Sequence, residues 1–411
     1  MTNAVTGFKL VLSFALLSAG PAFTQTPTPE PTPEATAAAP AAYVYVQTHQ
    51  GVDVFDAASD GKLTPIKGSP FASTGQMGGN NGKYLISIGT DYIHTYTIES
   101  NGAVGKQASE IDTQGYSGVE CGNTTGLAPL LDHSGKYLYV QLSGIFYGGS
   151  VTCVAWQSYK VESNGALKFL GSVHYNGSAG HDATSTTGPT VSSNDKFAYG
   201  VFAEFAGYSD TSFSTLARPA DGALDVNWNF TDKGPATDPN TPGGPWFFFP
   251  MLVQADPASH LAVALLNTSF SSCCDVYGSL QLASYTINDT TGSISSSNTW
   301  EDMPTSAIVN ISNMKMSASG KLLAVAGAPG LQIFHFNGAA PITSYSALLL
   351  PTVNIDQLAW DNTNHLYALS YSTGELYVYT VTPTSISEAP GSPYKVANAY
   401  GLNGLVVVPK L

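Results

Sequence analysis

Charge is scarce in this chain. Asp, Glu, Lys and Arg make up 11% of its 411 residues, against about 25% in ordinary soluble domains. Basic charge is scarcest: 15 Lys and Arg face 29 Asp and Glu, the formal net charge is −14, and Arg218 is the sole arginine. Phosphate backbones are bound by clustered Lys and Arg, so no nucleic-acid partner is expected. The same shortage disfavours an anionic membrane surface and, less strongly, anionic small ligands. Cysteine is also rare, and no CxxC pair occurs among Cys121, Cys153, Cys273 and Cys274. Neither a metal site nor a cofactor is expected. Apolar spacing of three and four, the mark of a surface helix, is missing after the first 20 residues. What remains points to strands. The chain is 43% hydrophobic with 41 Gly and 22 Tyr, a composition of many strands joined by tight turns and not of a disordered chain.

The N-terminus reads as an export signal over residues 1–22. Lys9 precedes an apolar run at 10–19, and small residues follow at Gly20 and Ala22. The run is too short for a stable bilayer anchor, so no membrane insertion is expected after its removal. Losing Lys9 would take the net charge from −14 to −15. Residues 23–42, rich in Pro and Thr, read as an extended linker. The expected location is therefore secreted or periplasmic, where disulfides are permitted.

From residue 43 onward one phrase returns seven times. A short turn leads into an apolar strand; a loop and an alternating strand follow, and the phrase ends in a Gly-X-Leu-like turn. Examples are NGKYLISI (81–88) with IHTYTIESNGAV (93–104), SGKYLYVQ (134–141) with AWQSYKVESNGAL (155–167), and SGKLLAVA (319–326) with LQIFHFNGA (331–339). A preceding strand, such as NMKMS (313–317) or IDQLAW (355–360), and a segment after the turn complete four strands per copy. Seven four-stranded antiparallel units of this length are the signature of a radial array. The expected fold is all-β: one seven-bladed β-propeller over 43–411. The first copy lacks an innermost strand, and GLVVV (404–408) is a strand without a blade. Pairing the two closes the ring and removes an exposed edge.

In such a ring the innermost strands line a channel, and the long loops between the second and sixth copies crowd one face. Aromatics on or beside those loops, including Trp228, Trp246, Trp300 and Tyr277, either stack on a ligand or pack the loops down. Cys121 and Cys153 fall on this face of the third copy and are the preferred disulfide; the adjacent Cys273 and Cys274 are a second candidate pair or free thiols. His181–Asp182 is the best base-and-orienter pair outside the channel, against the plainer reading of a solvated loop. His133, His260 and His365 occupy turns on the opposite face and are expected at the surface.

The phrases DGKLTPIKGSPF (60–71), SGKYLYV (134–140), ESNGALKFLGSV (162–173) and EAPGSPY (388–394) resemble those of the lactonase-type seven-bladed propellers, the group that includes the propeller form of 6-phosphogluconolactonase. The resemblance implies the fold over the whole repeated region. It also implies a channel in which an Arg-His pair on an innermost strand would bind and open an anionic lactone. At the corresponding positions this chain has, among others, Thr187-Gly188, Ser312-Asn313, Asp356-Gln357 and Asn403-Gly404. None is Arg or His. The expected ligand-binding set is Thr187, Ser312, Asn313, Asp356, Gln357 and Asn403. Two functions stay open: a monomeric binding or scaffold module for a neutral or polar ligand, carbohydrate or protein, and a hydrolase of neutral lactones using His181, Asp182 or Asp356.

Overall fold

The computed structural model describes residues 41–89, 91–113, 121–146, 152–176, 182–185, 189–205, 210–225, 229–231, 234–238, 246–270, 275–396 and 404–410. The expected export signal and most of the linker lie outside them; Ala42, expected in the linker, opens the first strand.

Among the described residues every regular element is a strand, and the strands form seven antiparallel sheets. Blade 2 runs Gln76–Asn80, Tyr84–Ile88, Tyr92–Ile98 and Val104–Asp112, from the axis outward. Blades 3, 5, 6 and 7 repeat this meander from Cys121, Trp246, Asn310 and Gln357. In blade 4 the first strand is split: Asp182–Ser185 and Thr190–Val191 both pair with Phe197–Phe205. Blade 1 is completed from the far end of the chain. Gly404–Pro409 pairs along Ala42–Thr48, with Val406 opposite Tyr45. The innermost strands touch in sequence around the ring, and Gly404–Pro409 contacts those of both blade 2 and blade 7. The closure expected from the sequence is therefore present.

Alternation along the strands builds the core. Successive side chains point to opposite faces, so Leu138 and Val140 pack toward blade 2 while Tyr139 packs toward blade 4. The result is seven hydrophobic clusters, one in each blade–blade interface. No blade has a core of its own.

The two phrases of the sequence repeat meet across these interfaces. The glycine of the outer turn in one blade lies against the ring that opens the second strand of the preceding blade. Gly102 (φ +83°) backs onto Tyr43, and Gly222 (φ +88°) onto Tyr137. Gly165 meets Tyr84 and Gly292 meets Phe197 in the same way. A Cβ on Gly102 would sit 2.3 Å from Tyr43 Cδ1. The contact is completed by hydrogen bonds from the next inward residue: the Tyr45 hydroxyl donates to Gly102 O at 2.8 Å, and Tyr139 to Gly222 O at 3.0 Å.

Imidazoles take this place in two blades: Gly338 faces His260 and Gly61 faces His365. This corrects the expectation of surface histidines. His133 is exposed and His260 half-buried, but His365 is buried, with its Nδ1 2.7 Å from Asp361 Oδ2. The Tyr367 hydroxyl donates to the same oxygen at 3.1 Å. Burial alone would raise the Asp361 pKa; the hydrogen bonds and charge of His365 outweigh it and hold the carboxyl below its ordinary value.

Two predictions follow from these contacts. Gly102→Ala combines a left-handed backbone with a ring clash, and should cost about 2 kcal/mol or more in urea unfolding; Ala103→Gly in the same turn is the control for a general loosening. His365→Ala leaves the buried Asp361 carboxylate to Tyr367 and two backbone N–H groups, without its imidazole, and should cost about 2 kcal/mol at pH 7. A depressed carboxyl pKa gives stability that is present above the ordinary Asp value and lost as pH falls through the folded one. The penalty of His365→Ala should therefore shrink on acidification, read as the gap between wild-type and variant melting temperatures from pH 7 down to pH 3.

Candidate functional site

The ring of innermost strands encloses a cavity of about 220 Å³ to which all seven blades contribute. Its polar lining comes from Gln76 of blade 2, Gln254 of blade 5, Ser312, Asn313 and Lys315 of blade 6, and Gln357 of blade 7. Pro129, Pro189 and Leu405 supply the remaining blades 3, 4 and 1. The cavity lies toward the loop-rich face, since Ile88, the last residue of its strand, also lines it. A second cavity of about 320 Å³ lies toward the opposite face, among Asn80, Met316, Trp360 and Val407. Gly78, Lys315, Leu358 and Leu405 line both, so they form the neck between the two. Closeness is enforced there: a Cβ on Gly78 would lie 2.1 Å from Pro129 Cγ.

Blade 6 carries the densest part of the lining. Its first strand, Asn310–Met316, has a bulge between Ile311 and Asn313, and a bulge re-aims the side chains beside it. Ser312, the extra residue, donates its hydroxyl hydrogen bonds inward to Ile355 O at 2.5 Å and Ala326 O at 3.2 Å. Asn313 Nδ2 donates to Gln357 Oε1 at 3.1 Å, joining blades 6 and 7 inside the cavity. Two residues on, Trp360 Nε1 donates to Lys315 O at 3.1 Å and joins the same blades at the neck.

Among the described residues Lys315 is the only ionisable group lining either cavity. Its ammonium has no hydrogen-bond or ion-pair partner among the described residues, and burial pushes its pKa down. The carboxylates of the neighbouring strands are committed elsewhere. Asp256 binds His260 and Asp361 binds His365. Asp356 lines neither cavity; its Oδ2 accepts from Tyr371 N at 2.7 Å, and burial raises its pKa against that bond. Burial, with the Asp356 charge as a minor cause, pushes the Tyr371 hydroxyl up to about 12.

Of the residues expected from sequence, Ser312, Asn313 and Gln357 come together in the upper cavity, and Asp356 stands one residue away from it. Thr187, Asn403, His181, Cys273 and Cys274 lie outside the described residues. Asp182 opens the first piece of the split strand of blade 4, opposite Phe205. Cys121 pairs with Phe146 and Cys153 with Gly144, on the two flanks of the strand Tyr137–Phe146; their side chains are outside the described set. Trp246 belongs to a strand, and Trp300 packs on the core between blades 4 and 5, as loops held down on the blades require. Sequence reasoning missed Gln76, Gln254 and Lys315. The signal for Lys315 was a charge between two apolar residues of an innermost strand, Met314-Lys315-Met316.

No protein-family model and no curated protein matches the chain. Among solved structures it is similar to a protein from Lactobacillus plantarum, with 12% identity, 90% of this chain and 99% of that one covered, and a TM-score of 0.58. A periplasmic gluconolactonase of Pseudomonas aeruginosa aligns at 12% identity over 79% of this chain and 98% of that one, TM-score 0.45. Apo AztD from Citrobacter koseri aligns at 10% identity over 89% and 98%, TM-score 0.45. The first likeness speaks for a shared fold and, at that identity, for the fold alone; the other two carry no argument.

Proposed function

We propose that this chain is an extracytoplasmic binding propeller, akin to the lactonase-type propellers its phrases resemble, that takes a small, hydroxyl-rich ligand in its central channel. One observation carries the reading: carboxamides from four blades converge on a single enclosed cavity with hydrogen-bonding capacity to spare. Gln76 has no partner among the described residues, and Gln254 engages only its NH₂, on Val253 O at 3.0 Å. Asn313 likewise engages only its NH₂. A carboxamide both donates and accepts, which suits hydroxyl groups that do the same. The cavity is small beside the 300–1,000 Å³ or so of drug-sized pockets, so the ligand is a small metabolite.

The lining also favours binding over turnover. General acid–base catalysis uses a positioned group that titrates near the working pH, and the channel positions resembling that family's Arg-His site carry Ser312-Asn313 and Asp356-Gln357 instead. The leader read at 1–22 supports export, which would bring extracellular or periplasmic solutes to the channel.

The test is calorimetric titration of the mature protein with glycerol, erythritol and neutral monosaccharides. At least one should bind, and Gln76→Leu with Gln254→Leu, whose side chains tie no blades together, should weaken it tenfold or more, about 1.4 kcal/mol, at an unchanged melting temperature. Binding that ignores both substitutions, or no binding by any neutral probe, would overturn the reading.

A further inference from the structure

The neck of the channel holds a feature that a neutral ligand leaves unexplained. A lysine is a costly residue to enclose: removing an ammonium from water costs several kcal/mol unless a counter-charge repays it, and an unpaired one lowers its pKa instead. Lys315 stands among Leu358, Leu405 and the flanking Met314 and Met316, where both cavities meet. Among the described residues no carboxylate lines either space, and Asp256, Asp356 and Asp361, beside the innermost strands of blades 5 and 7, are engaged by His260, Tyr371 N and His365. An apolar residue would fill the neck without the penalty. Among the described residues no matching charge lines the neck, and the cavity beside it is open.

We propose that Lys315 makes the neck a site for one carboxylate, so that the channel's ligand is a small polar monocarboxylate held by its acid group at Lys315 and by its hydroxyls at Gln76, Gln254 and the Asn313–Gln357 pair. The inference rests on the channel-binding reading and extends it. One lysine matches one negative charge. A dianion such as phosphate would leave an uncompensated charge in a low-dielectric neck, inside a protein whose own net charge is −14. This revises the sequence-level expectation that anionic ligands are disfavoured: the overall charge excludes polyanions, while the neck provides for a single one.

Neutralising Lys315 gives the site a proton signature. The free ammonium loses its proton more readily than an ordinary lysine, and a bound carboxylate favours the charged form. Between those two conditions binding takes up a proton.

The experiment compares matched pairs, D-glycerate against glycerol and D-erythronate against erythritol, with inorganic phosphate as the dianion. Titration in Tris and in bicine, across about pH 7 to 10, reads proton uptake from the difference in heats. The acids should bind at least tenfold more tightly than their alcohols, phosphate should not compete, and protons should be taken up toward the alkaline end. Lys315→Met and Lys315→Gln should erase the acid preference and the proton uptake while leaving alcohol binding intact, and Lys315→Met should raise the melting temperature. The inference falls if the acids bind no better than the alcohols, if the preference survives both substitutions, or if phosphate competes. If the alcohols bind through the glutamines without an acid preference, only this inference fails; if nothing binds in the channel, the binding reading fails with it.

Discussion

The structure depends on a contact between a backbone turn and a ring. A four-stranded blade is too small to enclose a core, and here all seven hydrophobic clusters lie between blades. Stability is therefore a property of neighbours. Apolar packing alone would let two sheets slide. The outer-turn glycine removes that freedom, because its left-handed backbone and missing Cβ let the ring of the preceding blade lie directly on it. The tyrosine hydroxyl beside that ring then fixes the height through the glycine carbonyl. In a closed ring each such contact constrains all the others. The last is made when Gly404–Pro409 completes blade 1 and Gly404 passes so near Met77 O that a Cβ would lie 2.1 Å from it.

That constraint explains what was legible in the sequence. The two halves of the contact, the Gly-Lys-Tyr opening and the Asn-Gly-Ala-Leu turn, recur because they must fit one another across six of the seven interfaces; the outer turn of blade 7, at 382–385, has no glycine. Their recurrence carried the blade number and the ring closure. The channel lining obeys no such rule. Ser312, Asn313 and Gln357 were found because they occupy slots defined by the repeat. Lys315 was missed because the slots compared covered two residues per strand, and it stands two beyond them, past the bulge at Ser312. Gln76 and Gln254 escaped for the same reason, in strands whose own bulges shift the register. His365 was misjudged because its turn position suggested solvent, whereas the next blade's Gly61 covers it.

The few charges of the chain are used sparingly and locally. Arg218, the sole arginine, is a clamp between blades: its Nη1 donates to the buried Asp132 at 2.9 Å, and its guanidinium lies over Tyr137 at 5.1 Å. Asp361 is held by His365, Asp256 by His260 and Glu375 by Lys395. These pairs join turns or neighbouring strands, where a fixed geometry repays desolvation. Lys315 departs from the pattern in being half-buried and without such a partner among the described residues.

Two physical arguments then converge on the same few residues. Hydrogen bonds inside the channel tie blade 6 to blade 7 twice, through Asn313–Gln357 above and Trp360–Lys315 below. The polar groups facing the cavity are thus mounted on rigid strands and not on loops, the arrangement that precise recognition needs. The half-buried lysine between those two ties has no ion-pair partner among the described residues. A rigid polar cavity ending in an unmatched charge is costly to the fold and adds nothing to blade packing. The proposed carboxylate site would offset that cost.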